Sequence, residues 1–178
     1  MNKKAILFII AGIWIAIAVF LIISKEQILS EGKVVLLETV PVDPRDMLRG
    51  DYVVLNYKIS NINLNGVRSE LNNYNIGQYV MVNLEQEGKF WQPKAVGITN
   101  LPQTGVNIRG KIKDCGGISL RLEYGIESYF VPEGKGNLIA DYLRRGSGKE
   151  VGVEVSVGNR GDAIIKRILI DDIPVKFN

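Results

Sequence analysis

The chain has 178 residues, 46% hydrophobic and 23% charged, proportions that suit one folded domain with additional segments. Its formal net charge is +3; with Lys3 and Lys4 set aside, 20 basic and 19 acidic residues remain, so the body has no electrostatic basis for binding nucleic acid. There is no histidine and a single cysteine, Cys115, which excludes Ser-His-Asp triads, Cys-His dyads, histidine-ligated zinc and any intrachain disulfide.

Ala5 to Ile23 is a run of 19 residues without a charge. As a helix it is about 28 Å long, close to the hydrocarbon thickness of a bilayer. Lys3 and Lys4 before it favour a cytoplasmic amino terminus. The run is longer than the core of a cleaved signal peptide, and Ile22-Ile23-Ser24 supplies no small-x-small exit. The expectation is therefore an uncleaved, single-pass signal-anchor in the cell membrane. Residues 1–30 read as a cytoplasmic stub, the anchor and a juxtamembrane stretch, with Lys25 to Gly32 a short helix or linker. Residues 31–178 read as an extracytoplasmic β-rich domain.

Val34 to Val40 is β-branched and apolar and stops at Pro41; it reads as a strand buried on both faces or lying at a sheet centre. A dense run of turn-forming and charged residues follows, from Pro41 to Arg49. Asp43-Pro44-Arg45-Asp46 fits a turn with proline at its second position, or one helical turn capped by Asp43. Gly50 permits positive φ before the next strand, Asp51 to Ile59. A period of two puts Val53, Leu55, Tyr57 and Ile59 on the core face, with Tyr52, Val54, Asn56 and Lys58 opposite.

Asn61 to Asn75 is rich in asparagine and reads as an irregular excursion, with a short helix around Ser69 to Asn73. Three hairpins follow by turn chemistry and alternation. Gln78 to Glu85 pairs with Phe90 to Thr99, Val106 to Lys113 with Ile118 to Tyr124, and Glu150 to Val157 with Ala163 to Ile170. Cys115 reads as a small residue in the Asp114-Cys115-Gly116-Gly117 turn rather than a reactive thiol. Ser128 to Val131 is a short strand stopped by Pro132, and Gly136 to Arg145 carries helical spacing in Leu138, Ile139, Tyr142 and Leu143. Ile173 to Phe177 closes the chain. The body is thus mainly β, about nine strands in an antiparallel sandwich or barrel-like domain with one short helix.

Gly50-Asp51-Tyr52-Val53-Val54-Leu55-Asn56-Tyr57 resembles, in full, the signature of the GDYXXLXY family of membrane proteins. Pro41 to Arg49 resembles that family's lead-in, and Tyr129 to Gly136 its second recognisable stretch. Asp162 to Asp171 is similar as well. The resemblance implies a membrane anchor and an association with polytopic membrane proteins, near which relatives tend to be encoded. It carries over no catalytic residue.

Two function classes follow. In the first, Asp43, Arg45, Asp46, Arg49, Gly50 and Asp51 form a charged cluster at one end of the sheet, flanked by Tyr52. Tyr129 and Glu133 approach from the second stretch, while Leu55 and Tyr57 anchor the strand, and the module binds a partner or assembles with one. The bland alternative is that these charges pair with one another and lock the loop, a bridging role that suits arginine. In the second class, an anchor followed by a β body and a Gly-Asp ending resembles type I signal peptidases. Aligning Gly50-Asp51 on that ending puts Val42 where the nucleophilic serine belongs, so a hydrolase is disfavoured. Asp171-Asp172, or Asp43 with Asp46, lacks the alternation of a calcium loop and reads as solvated turn carboxylates. The sequence assigns no catalytic residue, metal or cofactor.

Overall fold

A computed structural model of the chain describes residues 3–41, 48–49, 52–70, 74–98, 101–132, 136–143, 148 and 150–176. The first element, α1 (Lys3–Glu31), is one unbroken helix of 29 residues. It is apolar on every face along Ala5 to Ile23, and none of its most apolar stretch is covered by protein. A helix that is hydrophobic all round has no single core-facing stripe and needs an apolar surrounding. It is long and apolar enough to cross a membrane. Lys25 to Gly32 is not a separate helix or linker, because the helix continues to Glu31.

At that end the helix joins the body directly. Gly32 N–H and Ser156 Oγ both donate to the Ile28 carbonyl, at 3.0 and 2.6 Å. A Cβ at position 32 would collide with that carbonyl and with Ser156 Oγ, so only glycine allows the approach.

The body is mainly antiparallel β. β1 (Lys33–Val40) is followed by four short strands: β2 (Leu48–Arg49), β3 (Tyr52–Val54), β4 (Asn56–Tyr57) and β5 (Asn61–Asn63). β6 (Arg68–Ser69) precedes the hairpin of β7 (Tyr79–Glu87) and β8 (Phe90–Gly97). β9 (Val106–Gly116) and β10 (Ser119–Glu123) form the second hairpin. β11 (Ser128–Phe130), α2 (Gly136–Leu143), the hairpin of β12 (Val151–Val157) and β13 (Ala163–Ile170), and β14 (Ile173–Pro174) complete the order. These strands make a five-stranded sheet β14-β13-β12-β1-β4, a six-stranded sheet β5-β10-β9-β7-β8-β6 and a three-stranded sheet β11-β3-β2. Among the described residues, β6 pairs with β8 in parallel and the other ladders are antiparallel. The expected helix around Ser69 to Asn73 begins instead in a strand, and residues 71–73 lie outside the described residues.

All three sheets feed one apolar core. Val35, Leu37, Val82, Leu84, Ile108, Val153 and Val155 are fully buried in it. Burying such a side chain contributes about 1.5–3 kcal/mol each. β1 alternates Val35 and Leu37 inward and lies between β12 and β4, so the sheet-centre reading holds. Burial on both faces belongs to β12. Gly152 admits Leu36 and Phe90 to its second face, and Ser156 meets α1 there.

The β12–β13 turn is docked on both sides. Arg109 N–H donates to the Gly161 carbonyl at 2.9 Å, and the Arg109 guanidinium pairs with the Asp162 carboxylate. Gly161 has φ +81°, and a Cβ there would stand 2.9 Å from the Arg109 nitrogen. Gly88 has φ +62°, but a Cβ there would have no neighbour within 4 Å. Gly88→Ala should therefore cost about 1 kcal/mol from backbone strain alone, and Gly161→Ala about 1–3 kcal/mol more. Urea unfolding of the full chain in detergent micelles checks the difference; equal losses would refute the docking.

Candidate functional site

The signature strand does not run as one element. Tyr52–Val54 pairs in the three-stranded sheet, Asn56–Tyr57 in the five-stranded sheet, and Asn61–Asn63 in the six-stranded sheet. Within twelve residues the chain threads all three sheets, breaking pairing at Leu55 and through a 3-10 turn at Lys58–Ser60. The period-two faces survive this passage. Val53, Leu55, Tyr57 and Ile59 are buried, and Tyr52, Asn56 and Lys58 are exposed.

Two tyrosines hold the thread. Tyr57, fully buried, donates its hydroxyl to the Ile126 carbonyl at 2.6 Å. Tyr124, from the end of the β9–β10 hairpin, donates its hydroxyl to the Ile59 carbonyl at 2.7 Å. Between them Leu55 N–H donates to the Glu127 carbonyl at 2.8 Å. The segment 55–59 and the segment 124–127 are thus bonded in both directions. Gly110 leaves room for the Tyr124 ring, which a Cβ there would meet at 3.0 Å. The Glu127 carboxylate closes the turn, accepting from Tyr124 N–H at 2.6 Å and Gly125 N–H at 2.9 Å. Burial raises the Glu127 carboxyl above its ordinary range, against the opposing pull of these two donors. Burial pushes the Tyr57 and Tyr124 phenols well above their ordinary value, and the nearby Glu127 charge adds to it.

One signature side chain turns outward. Tyr52 pairs in register with Phe130 of β11, and the two rings meet edge to face at 5.5 Å between centroids and 69° between planes. Both are exposed, at 48% and 61%. Phe130 comes from the second stretch but was not among the residues singled out by sequence. The missed signal was register: Ser128-Tyr129-Phe130 is a strand that pairs with Tyr52-Val53-Val54. Tyr129 is placed opposite Val53, on the alternate face from Tyr52, where burial raises its phenol. Arg49 pairs in register with Tyr52 through β2. Asp43, Arg45, Asp46, Gly50, Asp51 and Glu133 lie outside the described residues, as does Val42. α2 packs alongside β2 and β3 and buries Ile139 and Leu143.

Other candidate groups have structural partners. Asp171 and Asp172 form the β13–β14 turn at φ +47° and +70°. Asp171 accepts from Glu150 N–H at 3.1 Å, and Asp172 pairs with Lys89 at 2.5 Å. Cys115 sits in strand β9 opposite Leu120 rather than in the turn, and is half-buried with its thiol 3.4 Å from the Tyr74 carbonyl.

Residues 14–168 match the family model of the GDYXXLXY protein, and the chain belongs to that family. No curated protein and no solved structure matches it.

Tyr57→Phe or Tyr124→Phe strands a buried carbonyl and should each cost about 1–3 kcal/mol in the same unfolding assay. The two losses should couple rather than add, since both serve one junction. The phenols favour their neutral form in the folded state, so their contribution is intact below about pH 10 and lost as pH rises above it. The slope approaches about 1.4 kcal/mol per pH unit for each tyrosine. An ultraviolet titration should show both ionising only as the protein unfolds; free titration near pH 10 would contradict the assignment.

Proposed function

We propose that the chain is a single-pass membrane protein whose body stands outside the cytoplasm as a non-catalytic binding or assembly module, an accessory component of a membrane protein complex. The observation that carries this reading is the division of labour inside the signature. Leu55 and Tyr57 are consumed by packing, whereas Tyr52 contributes nothing to the core. It stands in solvent against Phe130. Aromatic side chains offer large contact area with few rotatable bonds, and they are enriched where interfaces draw most of their energy. A paired aromatic surface, on a strand that directly follows the charged residues 43–51 in sequence, suits recognition of another polypeptide. The family resemblance points to a polytopic membrane protein as that polypeptide.

The orientation rests on Lys3 and Lys4 preceding α1. External protease added to intact cells should then digest the body; protection until the membrane is permeabilised would reverse the orientation.

The binding reading is tested by crosslinked pull-down from membranes. Tyr52→Ala and Phe130→Ala should each reduce recovery of a reproducible membrane partner by about tenfold or more. Because both side chains are exposed, stability should change by only about 0.5–1 kcal/mol. An unchanged partner set, or variants that simply unfold, would count against the proposal.

A further inference from the structure

The carboxyl-terminal turns of α1 and the tip of the β12–β13 hairpin enclose a cleft of about 360 Å³. Phe20, Lys25 and Glu31 line it from the helix, and Arg160 and Asp162 from the turn. The turn is held in place by its own backbone. Gly158 N–H donates to the Asp162 carbonyl and Gly161 N–H to the Gly158 carbonyl, both at 2.8 Å, and Arg109 ties it to β9. On the helix side, Gly158 lies against Ile28, where a Cβ would meet the Ile28 side chain at 3.1 Å.

The charges in the cleft are not equivalent. The Asp162 carboxylate is already paired with Arg109. The Glu31 carboxylate accepts from the Gln27 side-chain amide at 3.0 Å. Lys25 and Arg160 have no carboxylate partner among the described residues. Among the described residues, two cations without a carboxylate partner therefore line the cleft, beside an Asp162 carboxylate neutralised by Arg109 and a Glu31 carboxylate that keeps its charge.

Depth identifies what they face. Phe20 belongs to the uncharged run Ala5 to Ile23, and Lys25 stands just beyond its end. If that run fills the hydrocarbon layer, residues 24–31 rise about 12 Å through the headgroup layer. The cleft then straddles the boundary, with an aromatic wall at acyl-chain depth and two cations at phosphate depth. We propose that it seats a phospholipid, the headgroup phosphate taken by Lys25 and Arg160 and the upper acyl chain lying along Phe20. Arginine and lysine both form charge-assisted bonds to phosphate oxygens, and basic side chains at this depth attract anionic headgroups. The inference rests on α1 crossing the bilayer.

The test uses the full chain reconstituted in phosphatidylglycerol–phosphatidylethanolamine bilayers, extracted in mild detergent and weighed by native mass spectrometry. Wild type and an Arg121→Gln/Lys166→Gln control should retain one phospholipid. Lys25→Gln/Arg160→Gln, with the same change in charge, should retain about tenfold less. Equal retention by all three, or none by wild type, would overturn the proposal. So would displacement of the lipid by millimolar inorganic phosphate, which would assign the cations to a free anion. A partner polypeptide in the cleft would likewise leave lipid retention insensitive to the two substitutions. Carbonate extraction separates the two levels: wild type released by carbonate defeats the membrane-span reading, whereas resistant protein with unaltered lipid retention defeats the cleft alone.

Discussion

The reciprocal hydroxyl bonds, Tyr57 to Ile126 and Tyr124 to Ile59, are the constraint on which the rest of the body depends. The chain between positions 52 and 63 touches three sheets through strands of three, two and three residues. Ladders that short cannot fix register, because isolated pairings of this length are marginal in water. Something must hold the thread at the points where it leaves one sheet for the next. The buried hydroxyls do so, each satisfying a carbonyl that no ladder reaches. In a low-dielectric interior such a bond, once made, is costly to break. The core packs around it, with Leu55 and Ile59 on either side of Tyr57.

This constraint accounts for the chemistry gathered around Glu127. A carboxylate beside two buried phenols looks at first like a proton relay. The bonding says otherwise. Both hydroxyls donate to backbone carbonyls, and the carboxylate accepts from the backbone of its own turn. Every raised pKa in the group has burial as its leading cause. Perturbed titration marks functional sites only when the groups also converge on open space. Here they converge on main chain, and the group is architectural.

The parts of the fold legible in sequence were those written in local code. Gly88, Gly117 and Gly161 supply positive φ at or near the three hairpin turns, and alternation such as Val106, Ile108, Gly110, Ile112 names the inward face. The faces of the signature were legible for the same reason. The break at Leu55 was not, since Asn56 continues the period while its backbone pairs with a different sheet. β6 pairs with β8 in parallel across a long connection, a non-local choice that two residues cannot announce. The continuity of α1 was hidden by Lys25 and Glu26, which look like an interface but do not interrupt helical geometry. Phe130 stayed invisible because its meaning lies in the residue across from it. Of the charged cluster, residues 43, 45, 46 and 51 lie outside the described segments, so the candidate surface rests on Tyr52 and Phe130.

The unbroken helix changes what the surface can do. A flexible linker lets a tethered domain sample many heights and orientations, and its partner must then select one. Here α1 passes into β1 through a single glycine, and Ile28 is bonded to both Gly32 and Ser156. A helix fixed in this way transmits its own tilt and rotation to the sheets. If α1 crosses a membrane and packs against helices there, the same contact that sets its rotation also aims the Tyr52–Phe130 face. Under the proposed binding role, the entropic cost of ordering the body would be met within the chain before a partner arrived, and a modest aromatic surface would suffice where a tethered domain would need a larger one. Helix and body are better understood as one lever than as a domain on a leash.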